Sequence, residues 1–306
     1  INLLKLNRMK KTKLFILLTT FSLFLINTNL NAQAIGDYGS AASGNWTANA
    51  TWVVCVTPGT WDGATAATTA TTATTNVWIR NGHTVQFDTS SKNCNNLTIE
   101  NGGKLWANST ASSPRYLNLN GATLINNGEF GATDYSFGIK TFSNITTITG
   151  NGTYVIGRIQ PQNSGLTIIF DANVLMNYAG SGGAGGSTIY NNSKDDITYT
   201  INAGKTVTTA SLAYISVATS GSAAPSTGYN FTLNINGTLT TGTDGHINLL
   251  NASNKTSTIN IGSTGVLNCN GNFLMPDGTT SIGIFNIVNG GIVNTLSTKA
   301  TTLGTS

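Results

Sequence analysis

Asn96-Leu-Thr-Ile-Glu-Asn-Gly-Gly-Lys-Leu-Trp-Ala-Asn108 is the stretch on which the fold turns. Leu97 and Ile99 alternate with Thr98 and Glu100, a Gly-Gly pair interrupts, and Leu105 and Ala107 resume the alternation. Period-two alternation broken by turn formers reads as two short, half-buried strands. The same unit is rewritten down the chain. Val77-Trp-Ile79 precedes it, followed by Asn81-Gly and Thr84-Val-Gln-Phe87. Leu117-Asn-Leu119, Ile145 to Ile148, Leu166-Thr-Ile168 and Tyr199-Thr-Ile201 continue it. Leu233-Asn-Ile235, Ile259-Asn-Ile261 and Phe285-Asn-Ile287 complete the series.

The second apolar residue of each copy falls at 79, 99, 119, 148, 168, 201, 235, 261 and 287, at intervals of 20, 20, 29, 20, 33, 34, 26 and 26. A shortest period near 20 with variable insertions is what a solenoid with loops on its faces produces. One copy is too small to bury its own apolar face, so it must stack on the next. The repeat therefore predicts an all-β chain folded as a right-handed parallel β-helix, with nine coils giving a rod on the order of 40 Å long. Leu97 and Leu105 are expected to stack on Ile79 and Val85 before them and on Leu117 and Leu124 after. Asn residues at the turns are expected to form amide ladders between coils. The alternative is an antiparallel β-sandwich, because Asn-Gly is also a strong hairpin signal. Against it, the unit recurs in constant phase and the insertions follow whole units. Those insertions, Gly128 to Ile139, Asn177 to Asp196 and Ser220 to Gly228, read as surface loops.

Composition agrees. Only 8% of the residues are charged, while Gly numbers 35 and Pro 5. Such a chain lacks the charge that helix surfaces carry and is rich in turn formers and β-branched residues. The formal net charge of +4 belongs to the first 34 residues, which hold Lys5, Arg8, Lys10, Lys11 and Lys13 and no acid. The remainder has 10 basic and 11 acidic residues, a net of −1, so no basic footprint for nucleic acid is left.

Residues 1–34 read as a leader. Met9-Lys10-Lys11-Thr12-Lys13 is a positive segment, Leu14 to Ile26 an apolar run, and Ala32-Gln33-Ala34 a small-x-small cleavage pattern. The expectation is a secreted or cell-surface protein with no membrane span in the mature chain. Residues 35–75 read as an N-terminal cap region followed by a Thr/Ala-rich loop, and residues 76–306 as β-helix repeats. All five tryptophans lie between 46 and 106. Trp46, Trp52 and Trp61 either stack on sugar rings, as a ligand-binding set, or cover the open N-terminal end of the solenoid. The second explanation is preferred. Cys55 and Cys94 either pair in an oxidising compartment or join Cys269 as buried thiols.

Gly44-Asn-Trp46, Ala50-Thr-Trp52, Pro58-Gly59, Val77-Trp-Ile79, Asn81-Gly-His-Thr-Val85 and Asn101-Gly-Gly-Lys-Leu105 together resemble the opening of large secreted surface proteins of Bacteroidetes. They are also loosely similar to the G8 domain. The resemblance covers roughly residues 36–130. It implies a pectin-lyase-like β-helix and a C-terminal sorting domain. Thr301 to Ser306 matches neither a sorting domain nor a polar cap, so further sequence is expected beyond Ser306.

Chemistry-bearing residues are sparse. Lys194-Asp195-Asp196 is the densest charge cluster, and Asp171 and Arg158 are the nearest candidates to join it. Asp171, Lys194, Asp195 and Asp196 are the residues a polysaccharide lyase or glycoside hydrolase would draw on, with its site on loops or in a missing C-terminal part. A solvated loop exit explains them as well. His83 and His246 read as polar turn residues, and no metal or cofactor is expected. The overall expectation is a non-catalytic β-helix module, a stalk or adhesin, whose partner is an extracellular polysaccharide or a host or matrix surface.

Overall fold

The computed structural model describes residues 33–63, 72–107, 115–132, 137–178, 186–217, 227–252, 254–276, 281–295 and the backbone of 301–302. Residues 1–32 of the expected leader, most of the Thr/Ala-rich run and most of Ser220 to Gly228 lie outside the described residues. The described chain is a parallel β-helix of three sheets, with eleven, ten and nine strands. Each coil contributes one strand to each sheet in turn. Thus Leu97–Ile99 lies in the first sheet, Lys104–Ala107 in the second and Arg115–Leu119 in the third. The next coil follows with Thr123–Asn126, Glu129–Ala132 and Phe137–Thr141.

Alternation decides which side chains enter the core. Val77, Leu97, Leu124, Ile148, Phe170, Ile201, Ile235 and Ile261 are successive register partners on the first sheet, and all are fully buried. On the second sheet Val85, Leu105 and Phe130 form the equivalent column. The Gly102-Gly103 pair is a corner between the two sheets, and no hairpin joins Leu97 to Leu105. Every pairing among the described strands is parallel except one: Tyr38–Ser40 meets Trp52–Val54 antiparallel. The sandwich alternative is excluded.

Two expectations from the sequence need correction. Leu117–Leu119 belongs to the third sheet, where Leu117 partners Ile139, and Leu97 stacks between Val77 and Leu124. The first-sheet strand of that coil is Thr123–Asn126. Alternation marks a strand but not its face, so two faces of one coil read as successive copies. Likewise Glu129–Ala132 and Ser187–Tyr190 are strands inside the expected insertions, and the strand Phe137–Thr141 begins inside one. Gly131 disguises the first and Gly138 the last. Each sits inside a strand at a place where a Cβ would meet a neighbour, at 2.1 Å and 2.8 Å respectively.

Asn ladders occur, and the longest run along outward strand positions as well as turns. Asn286 Nδ2 donates to Asn260 Oδ1, and Asn260 Nδ2 to Asn234 Oδ1, each at 2.8 Å. At a turn, Asn96 Nδ2 donates to Asn76 Oδ1 at 3.0 Å. Each amide satisfies its neighbour's acceptor and passes the pattern on.

The N-terminal end of the core is covered. Trp46 and Trp52 are fully buried, their rings meet edge to face at 4.9 Å, and Trp46 packs on Phe87 at 5.4 Å. Tyr38–Ser40 and Gly44–Asn45 already pair in parallel with the strands of the next coil, so the solenoid begins inside the cap region. At the last described coil, by contrast, Ile287 and Ile292 are exposed. Cys55, Cys94 and Cys269 are free and buried. Burial pushes the Cys94 thiol far above its ordinary range.

Candidate functional site

The candidate acid–base residues do not converge. Asp171 ends a first-sheet strand, where Asn202 Nδ2 and Thr149 Oγ1 donate to its two oxygens at 3.0 Å and 3.1 Å. Lys194, Asp195 and Asp196 lie in the turn before the next first-sheet strand, beside Ser164 and Gly165. A whole strand separates that turn from Asp171, a span on the order of 20 Å at about 3.3 Å per residue. Glycoside hydrolysis places its two carboxyl groups about 5–10 Å apart. Arg158 leads into the third sheet and joins neither.

Asp195 is committed to structure. Its carboxylate pairs with the Lys255 ammonium and accepts the Asn230 backbone N–H at 2.6 Å. Burial works to raise its carboxyl, yet Lys255 and the two backbone donors hold it below the ordinary value. A carboxylate so occupied makes a poor proton acceptor. Asp196 takes a left-handed conformation, φ 55°, and accepts from Asn230 Nδ2 at 2.9 Å. The Lys194 backbone N–H closes the turn onto the Asn191 carbonyl. These residues pin successive coils at one corner.

The candidate tryptophans are placed differently from one another. Trp46 and Trp52 have no accessible surface, so neither indole presents a face to a sugar ring. Both belong to the cap. Trp61 is partly exposed, but it leans on Trp78 at 5.6 Å and lies over Gly39. His83 accepts or donates at Nδ1 to Ser40 Oγ at 2.9 Å, and His246 Nδ1 accepts the Asn272 N–H at 2.8 Å. Among the described residues no three His, Cys, Asp or Glu side chains gather as a metal site, and no helix is long and apolar enough to cross a membrane.

Trp106 is not among the residues that the sequence singles out. Alternation within Lys104–Ala107 sends Leu105 and Ala107 inward, so Lys104 and Trp106 face out on the second sheet. The Lys104 ammonium lies 4.4 Å from the indole centroid and 2.6 Å from Glu129. Trp106 is in register with Gln86 on one side and Gly131 on the other, and Gly131 offers no side chain to crowd it. Beside it, at the corner between first and second sheets, Asn101, Asn127 and Asn151 come one above the next. They line a groove of about 430 Å³ with Thr84, Lys104 and Glu129. A second hollow of about 190 Å³ adjoins it, walled by Gln86 and Trp106. The arrangement offers repeated amide and hydroxyl groups at the coil spacing, next to one aromatic ring. The signal for it in the sequence is the Trp at an outward position of the very stretch that sets the repeat.

No family model matches the chain, and neither the curated proteins nor the solved structures contain a match.

Proposed function

We propose that this chain is a secreted or cell-surface β-helix module, a non-catalytic stalk or adhesin that engages extracellular polysaccharide along its second sheet. The observation that carries the reading is the groove beside Trp106. Its Asn101, Asn127 and Asn151 amides repeat at the spacing of stacked coils, about 4.8 Å, close to the rise of one sugar in an extended glycan. An aromatic ring beside such a ladder supplies apolar area for a sugar face. The stacked core behind it gives a rigid support on which recognition groups keep their positions. The leader supports the destination: a positive segment, an apolar run of signal-peptide length and a small-residue cleavage pattern.

The test is retention of the purified chain on immobilised neutral and acidic glycans. Retention that falls in Trp106→Ala and in Asn127→Ala supports the reading. New reducing ends or unsaturated products would place the chain among polysaccharide-cleaving enzymes instead. Export of a reporter fused to residues 1–34 tests the destination separately.

A further inference from the structure

The third sheet has a charge character unlike the rest of the chain. Its described strands contain Lys92, Arg115 and Lys140, Arg158 stands immediately before one of them, and none contains Asp or Glu. The chain beyond residue 34 is nearly neutral, so this face concentrates positive charge that the sequence average conceals. Among the described residues at the adjoining corners, Asp88 is engaged with Thr47 and Asp195 with Lys255.

Arg158 is the centre of the face. Its side chain is only 8% exposed, and its Nε has no hydrogen-bond partner. Tyr178 stacks over the guanidinium at 3.6 Å and Tyr190 lies at 5.3 Å. Among the described residues no carboxylate comes within ion-pair distance of it. A cation held this deep with no counter-ion among the described residues is costly, since burial of charge is offset only by pairing and hydrogen bonds. Aromatic faces offset part of that cost.

The surroundings are shaped. Gly138 leaves a notch in the neighbouring strand, and the Tyr116 ring fills it, 2.8 Å from where a Cβ would stand. The Tyr116 hydroxyl accepts from Gln160 Nε2 at 2.9 Å, and the Lys140 ammonium sits 4.8 Å from the ring centroid. Two cations, an amide donor and two partly exposed tyrosine rings therefore meet on one side of the rod. The guanidinium, whose Nε–H is buried and unpaired, and the partly exposed Lys140 ammonium together make a positive surface that matches an oxyanion. Tyrosine rings flanking it match the apolar face of a sugar.

We propose that Arg158, Lys140 and Tyr116 form a binding site for an acidic saccharide, in which a carboxylate or sulfate oxygen pairs with the two cations while the sugar ring packs on tyrosine. The proposal rests on the reading of the chain as a polysaccharide-engaging module, but it uses a different sheet from the Trp106 groove.

The experiment is titration of the purified chain, by calorimetry at low and moderate salt, with three probes: a glucuronate-containing oligosaccharide, a sulfated galactan oligosaccharide and a neutral glucan oligosaccharide of equal length. The acidic probes should bind more tightly than the neutral one and weaken as salt rises. The uronate and sulfate arms identify which oxyanion is preferred. Arg158→Gln should weaken acidic binding by at least roughly tenfold, in line with the loss of a hydrogen-bonded charge. Arg158 is buried, so Lys140→Gln is the companion variant. It lies on the partly exposed side and should also reduce acidic binding, without moving the melting temperature. Lys205→Gln, on another corner, should change nothing. Equal binding of acidic and neutral probes, or acidic binding untouched by Lys140→Gln and Arg158→Gln, would overturn the site. If Trp106→Ala then abolishes binding of all probes, the module reading survives and the acidic site alone falls. If no probe binds at any salt, both fall.

Discussion

The indole N–H of Trp52 donates to the backbone carbonyl of Trp46 at 2.8 Å, tying the antiparallel return strand to the ring that closes the core. A parallel β-helix ends in an open ring of apolar side chains, and here two fully buried indoles lie across it. Trp52→Ala removes both ring and donor, and it should cost about 3–5 kcal/mol, the range for deleting a large buried aromatic. Trp52→Phe keeps a ring but removes the indole donor to the Trp46 carbonyl, which should cost about 1–3 kcal/mol. Urea unfolding followed by tryptophan fluorescence checks the order, because all five tryptophans lie between 46 and 106 and report on this end. Equal midpoints for wild type and Trp52→Ala would show that the end needs no cap.

Two corner glycines separate two kinds of necessity. Gly82 has φ +76°, and a Cβ added there would have nothing within 4 Å, so Gly82→Ala meets only backbone strain of about 1–2 kcal/mol. A Cβ on Gly128 would stand 2.0 Å from the Gly103 carbonyl oxygen of the coil beneath. Relief there requires two coils to move apart, so Gly128→Ala should reach or pass the upper end of about 1–3 kcal/mol for overpacking. Melting temperatures of the two variants decide it. A larger drop for Gly82→Ala would mean that turn conformation matters more here than coil spacing.

The fold was legible because the core columns are written as alternation: Leu97 and Ile99, or Leu105 and Ala107, announce strands without help from the rest of the chain. The number of faces was not. Phe137–Thr141 carries Gly138 at a position where the Tyr116 ring lies, and a glycine that makes room for a neighbour distant in sequence looks like a loop residue. The candidate sites suffered in the same way. Trp46 and Trp52, set among Gly, Ser and Thr, fit either a sugar site or the preferred cover over the open end of the core, and only their full burial separates the two. Arg158 sits in a stretch with no second charge nearby, and only the stacking of coils brings Tyr116, Lys140 and Tyr178 to it.

The Asn234, Asn260 and Asn286 side chains form a ladder in which the middle amide both gives and receives. Asn260→Ala should break two bonds and cost about 0.5–1.5 kcal/mol for each. Asn286→Ala, at the last described rung of the ladder, breaks the one bond it makes to Asn260 and should cost about half as much. Guanidinium unfolding midpoints measure the ratio. Equal losses would indicate that the ladder does not transmit along the stack and that each amide is satisfied by water.

Three buried tyrosines set an alkaline limit on stability. Burial raises the hydroxyls of Tyr154 and Tyr199 well above the ordinary value, and raises Tyr190 to about 12 despite the nearby Arg158 charge. An acid whose folded pKa is raised holds its proton in the native state after the unfolded chain has released it. Between the unfolded value near 10 and the folded one, the native state binds more protons, so stability falls as pH rises. Below about pH 9 the contribution is constant. Unfolding free energy measured between pH 8 and pH 11.5 should therefore be flat at first and then decline. In Tyr190→Phe the decline should be shallower. The part of the tyrosinate absorbance that belongs to these buried hydroxyls should lag in the native protein and appear only with loss of the strand circular-dichroism signal. Early ionisation of all nine tyrosines, before any loss of strand signal, would mean that these hydroxyls reach solvent in the folded chain.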